Sequence, residues 1–206
     1  MKALLLIDLQ NDFCKNGALE VKEGDLVIPI ANSLIKKFKE NNDLILATKD
    51  WHPLTHKSFA KNSNGKIGEV GILNGLPQVW WPAHCVQNSF GSEFHPNLNS
   101  KDIDITIFKG TNNEIDSYSG FFDNGKFKKT ELDQILKSKN IDTLYILGLA
   151  TDYCVKFTVL DALELGYKVY LVEDGCRGVN LAPTDSSKSI EEMKDKGAII
   201  IKSFQI

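Results

Sequence analysis

The chain has 206 residues, 42% of them apolar and 25% charged, a balance that excludes disorder and suits one α/β domain with a sizeable core. Lys and Arg number 24 against 27 Asp and Glu, a net charge of −3 with no basic cluster, so neither nucleic acid nor a membrane surface is an expected partner. The apolar run at the start is cut by Asp8, too early for a signal peptide, and no stretch approaches the ~20 apolar residues of a membrane span.

Ala3 to Ile7 is a continuous apolar run, the pattern of a strand buried on both faces. Gly24 and Asp25 open a helix in which Val27, Ile30, Ala31, Leu34 and Phe38 share one face, with Pro29 tolerable near its start. Asp43 to Thr48 reads as the second strand. After Asp50 the pattern breaks for roughly fifty residues, and an irregular segment of that length inside a domain is usually functional. All four histidines and all three tryptophans fall within it. Regularity returns with a third strand, Ile103 to Phe108, ending in Lys109-Gly110. Thr130 and Asp133 suggest a capping box before Leu132, Ile135 and Leu136. Ile141 to Leu147 is the fourth strand, and a helix follows from Thr151 or Asp152 with Val155, Val159 and Ala162 on one face. Lys168 to Val172 and Ala198 to Ile201 complete six strands, with a helix through Ile190 and Met193 between them.

Strands alternating with helices predict a three-layer α/β/α fold with a six-stranded, mainly parallel sheet, in which ligands bind beyond the carboxyl ends of the strands. Asp8, Asp50 and Lys109 stand at three such ends, and the fourth strand leads into Cys154. A cysteine in the first turn of a helix faces unpaired amides and the positive end of the helix dipole, which favour the nucleophilic thiolate. Cys14, Cys85 and Cys176 show no paired metal or redox spacing and read as buried, reduced thiols of a cytoplasmic protein.

The stretches Ile7-Asp8-Leu9-Gln10-Asn11-Asp12-Phe13, Lys109-Gly110 and Ala150-Thr151-Asp152-Tyr153-Cys154-Val155 resemble the Asp-Lys-Cys signatures of the isochorismatase-like cysteine hydrolases. Asp50-Trp51-His52-Pro53 and Trp81-Pro82-Ala83-His84-Cys85 are similar to the nicotinamidase and pyrazinamidase group within that family. The resemblance implies one domain over 1–206 with a metal- and substrate-binding insertion at about 50–103. It implies a hydrolase of a linear amide that turns nicotinamide and water into nicotinate and ammonia for NAD salvage, with pyrazinamide a second candidate substrate; the alternatives are another amidase of the same fold acting on ureido or carbamoyl substrates, or a binding protein that keeps the fold without turnover. Cys154 would be the nucleophile, Asp8 the proton acceptor and Lys109 their fixed positive charge, with the N–H groups of Ala150 and Cys154 as the oxyanion hole. The family also places a cis peptide at Leu149-Ala150. Asp50, His52 and His84 would hold one divalent metal, zinc first, with iron or manganese as alternatives. Phe13, Trp81 and Tyr118 would hold the pyridine ring. His56 departs from the spacing of a further metal-ligating histidine, Ser58 fits a contact through water, and His95 reads as structural. A homo-oligomer is left open.

Overall fold

The computed structural model describes residues 1–206. In chain order its regular elements begin with β1 (Lys2–Ile7), α1 (Val27–Glu40) and β2 (Leu44–Asp50). A short hairpin follows, β3 (Val70–Leu73) and β4 (Leu76–Val79), then β5 (Ile105–Lys109), α2 (Leu132–Ser138) and β6 (Thr143–Leu149). The chain closes with α3 (Lys156–Glu164), β7 (Lys168–Arg177), α4 (Asp185–Asp195) and β8 (Ile199–Ile201).

Six strands form one sheet in the order β5-β2-β1-β6-β7-β8, and every neighbouring pair is parallel. β1 is central and hydrogen-bonded on both edges, so Ala3 to Ile7 is unbroken apolar sequence with no exposed surface. The chain travels from β1 toward β2 on one side and from β6 toward β7 on the other. Right-handed crossovers then set α1 on one face of the sheet and α3 on the opposite one, the expected three layers. Between β1 and β6 the direction of travel reverses, and such a switch point opens a crevice beyond the carboxyl ends of both strands.

α1 buries Val27, Ile28, Ala31, Leu34, Ile35 and Phe38, wider than the stripe read from the sequence because Ile28 and Ile35 join it while Ile30 stays on its rim. The expected capping box does not form at α2, whose N-cap is Glu131 with no side-chain cap. Thr130 Oγ1 accepts from the Leu132 N–H at 3.1 Å, but the Asp133 carboxylate is taken by the Tyr167 hydroxyl and Lys137, each at 2.8 Å. β7 runs five residues past the expected end at Val172, along a register shift opposite Ile146 and Gly148. The β3–β4 hairpin was not expected. Its two-residue loop, Asn74-Gly75, has positive φ at both positions, a strong hairpin signal. The flanking strands hide it, since Val70 and Ile72 face solvent and show no core-directed alternation. No helix is long and apolar enough to cross a membrane.

Candidate active site

Parallel register sets Asp50 directly beside Lys109 on the neighbouring strand. Lys109 has a fully buried side chain, and its ammonium lies 2.9 Å from Asp8 Oδ2 and 2.5 Å from Asp50 Oδ1. It also donates to the Ser117 carbonyl at 3.0 Å and faces Cys154 Sγ at 3.3 Å. One cation thus joins side chains from three strand ends to the cysteine beyond a fourth. Asp8 leaves β1 with φ of 49°, and Thr48 on β2 holds both its N–H, at 3.2 Å, and its Oδ1, at 2.6 Å. Asp8 Oδ2 is paired with Lys109 by charge and accepts no hydrogen bond.

Burial alone would drive the Lys109 amine toward neutrality, but Asp50 and Asp8 push its pKa well above the ordinary lysine value. Burial raises Asp50 too, yet the Lys109 cation outweighs it and holds that carboxyl well below its usual range. At Asp8 burial wins over Lys109, and the proton affinity is raised. Cys154 departs from the expectation of a helix-start thiolate. Residues Thr151–Val155 form a wider π-type turn ahead of α3, and burial pushes the Cys154 thiol well above its ordinary value despite Lys109. The resting group is a thiol, with a carboxylate of raised proton affinity beside it. The Asp8 and Asp50 carboxylate oxygens and Cys154 Sγ lie within 4.8 Å of one another, so the cluster can move a proton from sulfur to Asp8. The Leu149-Ala150 peptide is cis, as the resemblance implies, and the Ala150 carbonyl accepts from the N–H groups of Tyr153 and Val155, both at 3.1 Å.

On the far side of Asp50 stand two imidazoles. His52 Nδ1 meets the Gly110 carbonyl at 2.8 Å and His84 Nδ1 meets the Pro82 carbonyl at 2.8 Å. A carbonyl can only accept, so both rings carry a proton on Nδ1, and the neutral form of each ring presents Nε2 as a lone pair. Those Nε2 atoms lie 3.6 and 3.8 Å from Asp50 Oδ2, and His52 Nε2 is buried without a hydrogen-bond partner. An orphaned imidazole nitrogen is costly to bury, and three converging donors of this kind fit one divalent cation with open positions. Gly110 makes room for the arrangement, because a Cβ there would lie 2.3 Å from His52 Cε1 and φ is +65°. His56 has both nitrogens engaged, Nδ1 with Ser58 Oγ at 2.7 Å and the Ser58 N–H at 3.1 Å, and Nε2 with the Ile115 carbonyl at 3.3 Å. Burial lowers its pKa to about 4, so it is a neutral, satisfied ring. His95 pairs instead with Asp25, 3.4 Å away.

Asp50, Ala150 and Cys154 line a narrow cavity whose walls include Phe13, Trp81, His84 and Tyr118. Phe13 meets the His84 ring edge-on at 5.5 Å, and Trp81 Nε1 donates to the Tyr118 hydroxyl at 3.2 Å. Leu19, Asp116, Tyr153 and Val179 complete the wall and went unread in the sequence. Tyr153 could have been found, since it adjoins Cys154; the other three sit where no periodicity speaks for them. Cys14, Cys85 and Cys176 are buried away from the cavity, with burial pushing Cys14 and Cys176 up to about 12 and Cys85 well above its ordinary value.

The chain is 53% identical over 199 residues to a nicotinamidase of Escherichia coli, a match covering 97% of this chain and 93% of that one. Among solved structures it resembles an Acinetobacter baumanii nicotinamidase and pyrazinamidase, with a TM-score of 0.93 and 39% identity over 99% of this chain and 97% of that one. A Pyrococcus horikoshii pyrazinamidase in complex with zinc superposes with a TM-score of 0.81 at 41% identity, covering 98% of each chain. The family model described as the isochorismatase domain matches residues 2–205, which takes in every strand of the sheet and every side chain of the cavity, and the chain belongs to that family.

Proposed function

We propose that the chain is a nicotinamidase, a cysteine amidohydrolase that converts nicotinamide and water to nicotinate and ammonia. The observation that carries this reading is the shared ammonium of Lys109, which meets Asp8, Cys154 and Asp50 at the floor of an aromatic-walled cavity. The activity named for the Escherichia coli relative supports it.

Asp8 takes the thiol proton as Cys154 Sγ attacks the amide carbon, and the Lys109 cation offsets the charge that builds between them. The N–H groups of Ala150 and Cys154 receive the carbonyl oxygen as it becomes an oxyanion. Asp8 returns its proton to the departing nitrogen, ammonia leaves and a thioester remains. Water then enters, Asp8 takes one of its protons as the water oxygen bonds the acyl carbon, the C–S bond breaks, Asp8 returns that proton to the Cys154 sulfur, and the nicotinic acid released gives its own proton to solvent as nicotinate. Phe13, Trp81 and Tyr118 hold the ring while this happens, excluding water from its faces. Asp50, His52 and His84 would hold one divalent metal, and the zinc complex of the Pyrococcus horikoshii relative favours zinc. When bound, the ion supplies a Lewis-acid anchor for a pyridine nitrogen. Pyrazinamide, which also has a ring nitrogen and a carboxamide, is the second substrate of this reading.

The whole chain then acts as one domain, with the segment at about 50–103 as its metal- and substrate-binding insertion. We place it in the cytoplasm, where its four unpaired thiols stay reduced. Ammonia release from nicotinamide, followed beside metal content, tests the assignment. The wild-type protein should turn over nicotinamide, and Cys154→Ala should lose at least about a thousandfold in rate while keeping its metal. Turnover retained in that variant would remove Cys154 as nucleophile, and a wild-type protein inert toward nicotinamide would remove the substrate.

A further inference from the structure

Outside the cavity one grouping has the composition of a metal site: Cys14, Asp25 and His95, with ligand atoms within 4.8 Å of one another. Its polar groups face one another without an orphaned donor aimed at an ion. The Asn97 N–H donates to His95 Nδ1 at 3.3 Å, which leaves the imidazole proton on Nε2, facing Asp25 Oδ1 at 3.4 Å.

The loop after β1 shows a different pattern. Asp8, Gln10 and Asp12 stand at alternate positions, and each reaches a different part of the cavity's polar frame. Gln10, fully buried, takes both backbone groups of Asp50: its Oε1 accepts from the Asp50 N–H and its Nε2 donates to the Asp50 carbonyl, each at 2.8 Å. Nε2 also reaches the Ser92 carbonyl at 2.9 Å, so one amide spans β2 and the insertion. Asp12 Oδ2 accepts from the N–H of Cys85, the residue after His84, at 2.7 Å, and its Oδ1 accepts from the Ala18 N–H at 3.1 Å. Cys85 holds a left-handed φ of 45°, and its carbonyl accepts from the His52 N–H at 3.1 Å. One carboxylate therefore fixes the peptide after His84, and the next peptide fixes the backbone of His52. Gly91 admits that carboxylate, since a Cβ there would lie 2.0 Å from Asp12 Oδ2.

We propose that Gln10 and Asp12 are positioning residues for the metal set: Gln10 fixes Asp50, and Asp12 fixes His84 and, through Cys85, His52. Neither offers the ion a ligand atom. Their effect is to freeze three ligands in a converging arrangement before an ion arrives, so that binding does not have to order them. The inference rests on the metal reading of Asp50, His52 and His84.

Zinc titration of the metal-free protein against a competing chelator tests it, with thermal unfolding measured alongside. Asp12→Ala and Gln10→Ala should each weaken zinc binding by about tenfold or more. Asp12→Asn keeps one carbonyl acceptor and should recover part of that loss. Asp133→Ala, which removes a hydrogen bond to Tyr167 outside the cavity, should lower the melting temperature and leave zinc affinity unchanged. Zinc affinity at the wild-type value in Asp12→Ala and Gln10→Ala, with only the melting temperature reduced, would overturn the positioning role. Should Asp12→Ala fail to fold, Asp12→Asn and Gln10→Ala carry the same comparison. A wild-type protein without zinc affinity would overturn the metal reading itself, whereas unchanged variants beside a zinc-binding wild type overturn only this inference.

Discussion

Two regions build the cavity by different means. The floor is made by strand ends: Asp8, Lys109 and Cys154 stand where β1, β5 and β6 deliver them, and parallel register alone brings Asp50 against Lys109. The insertion between β2 and β5 has almost no register to use. Its histidines are aimed by single hydrogen bonds to Gly110 and Pro82 carbonyls, and its backbone is tied down by side chains of the loop after β1. A ladder distributes its load over many peptide groups, whereas a set of single bonds puts each ligand at the mercy of one residue. Damage to the floor should therefore appear as global stability, and damage to the insertion as local affinity.

The largest expected effect is Lys109→Met. It leaves two buried carboxylates, Asp8 and Asp50, without the cation that both contact. Removing one partner of a fully buried ion pair costs about 3–5 kcal/mol, so the urea midpoint should fall by that equivalent with no change in the slope. A variant as stable as the wild type would mean that the carboxylates can share a proton at no cost, and that the floor depends on Lys109 for chemistry alone.

Gly110→Ala sharpens the contrast from the other side. The new methyl would meet the His52 ring at 2.3 Å, and the backbone would carry an alanine at φ of +65°. Gly75→Ala is its control: φ there is +79°, and a Cβ would meet nothing within 4 Å. The control should lose about 1–2 kcal/mol from the left-handed backbone alone. Gly110→Ala should lose that and, by displacing His52, a large part of its metal affinity, read by the same zinc titration. Equal behaviour of the two variants would show that His52 is not held by its contact with Gly110.

These differences explain what the sequence could and could not say. The six strands were legible because β1, β2 and β6 carry apolar runs that mark them as buried while Ile103, Ile105 and Ile107 alternate with polar residues toward the edge strand β5, and the floor followed because polar residues ended those stretches. Cys154 lies on the cavity wall, where the end of β6 delivers it, and burial pushes its thiol up, against the thiolate that a helix start favours while water still reaches the group. Asp50, His52 and His84 were singled out through the family resemblance, not through local pattern, and their polar atoms converge as that resemblance implies. Gln10 and Asp12 lay inside a quoted motif, yet their partners, Asp50 and Cys85, are 40 and 73 residues away, and no periodicity links them. The hairpin was missed because it buries little; its Asn-Gly loop was the one available signal.

That hairpin offers the smallest and most local test. Val70 and Ile72 face solvent, yet Gln78 on β4 is buried, and its Nε2 reaches Asp116 Oδ2 at 3.0 Å and the Tyr118 hydroxyl at 3.1 Å. Both partners line the cavity, so this amide is a polar tie between the hairpin and the cavity wall. Gln78→Ala removes those two contacts and a third, to the Val79 carbonyl at 2.8 Å, at a cost of about 1 kcal/mol for each hydrogen bond lost, partly repaid by water that enters at the rim. Because the hairpin pairs with no strand of the main sheet, the loss should stay local and the global unfolding midpoint should barely move. The loosened wall should instead raise KM for nicotinamide several-fold with kcat near the wild-type value, and amide exchange should quicken across residues 70–79 while the sheet stays protected. A drop in the global midpoint as large as that of Lys109→Met would show that the insertion and the floor unfold as one unit, and the contrast between the two regions would fall with it.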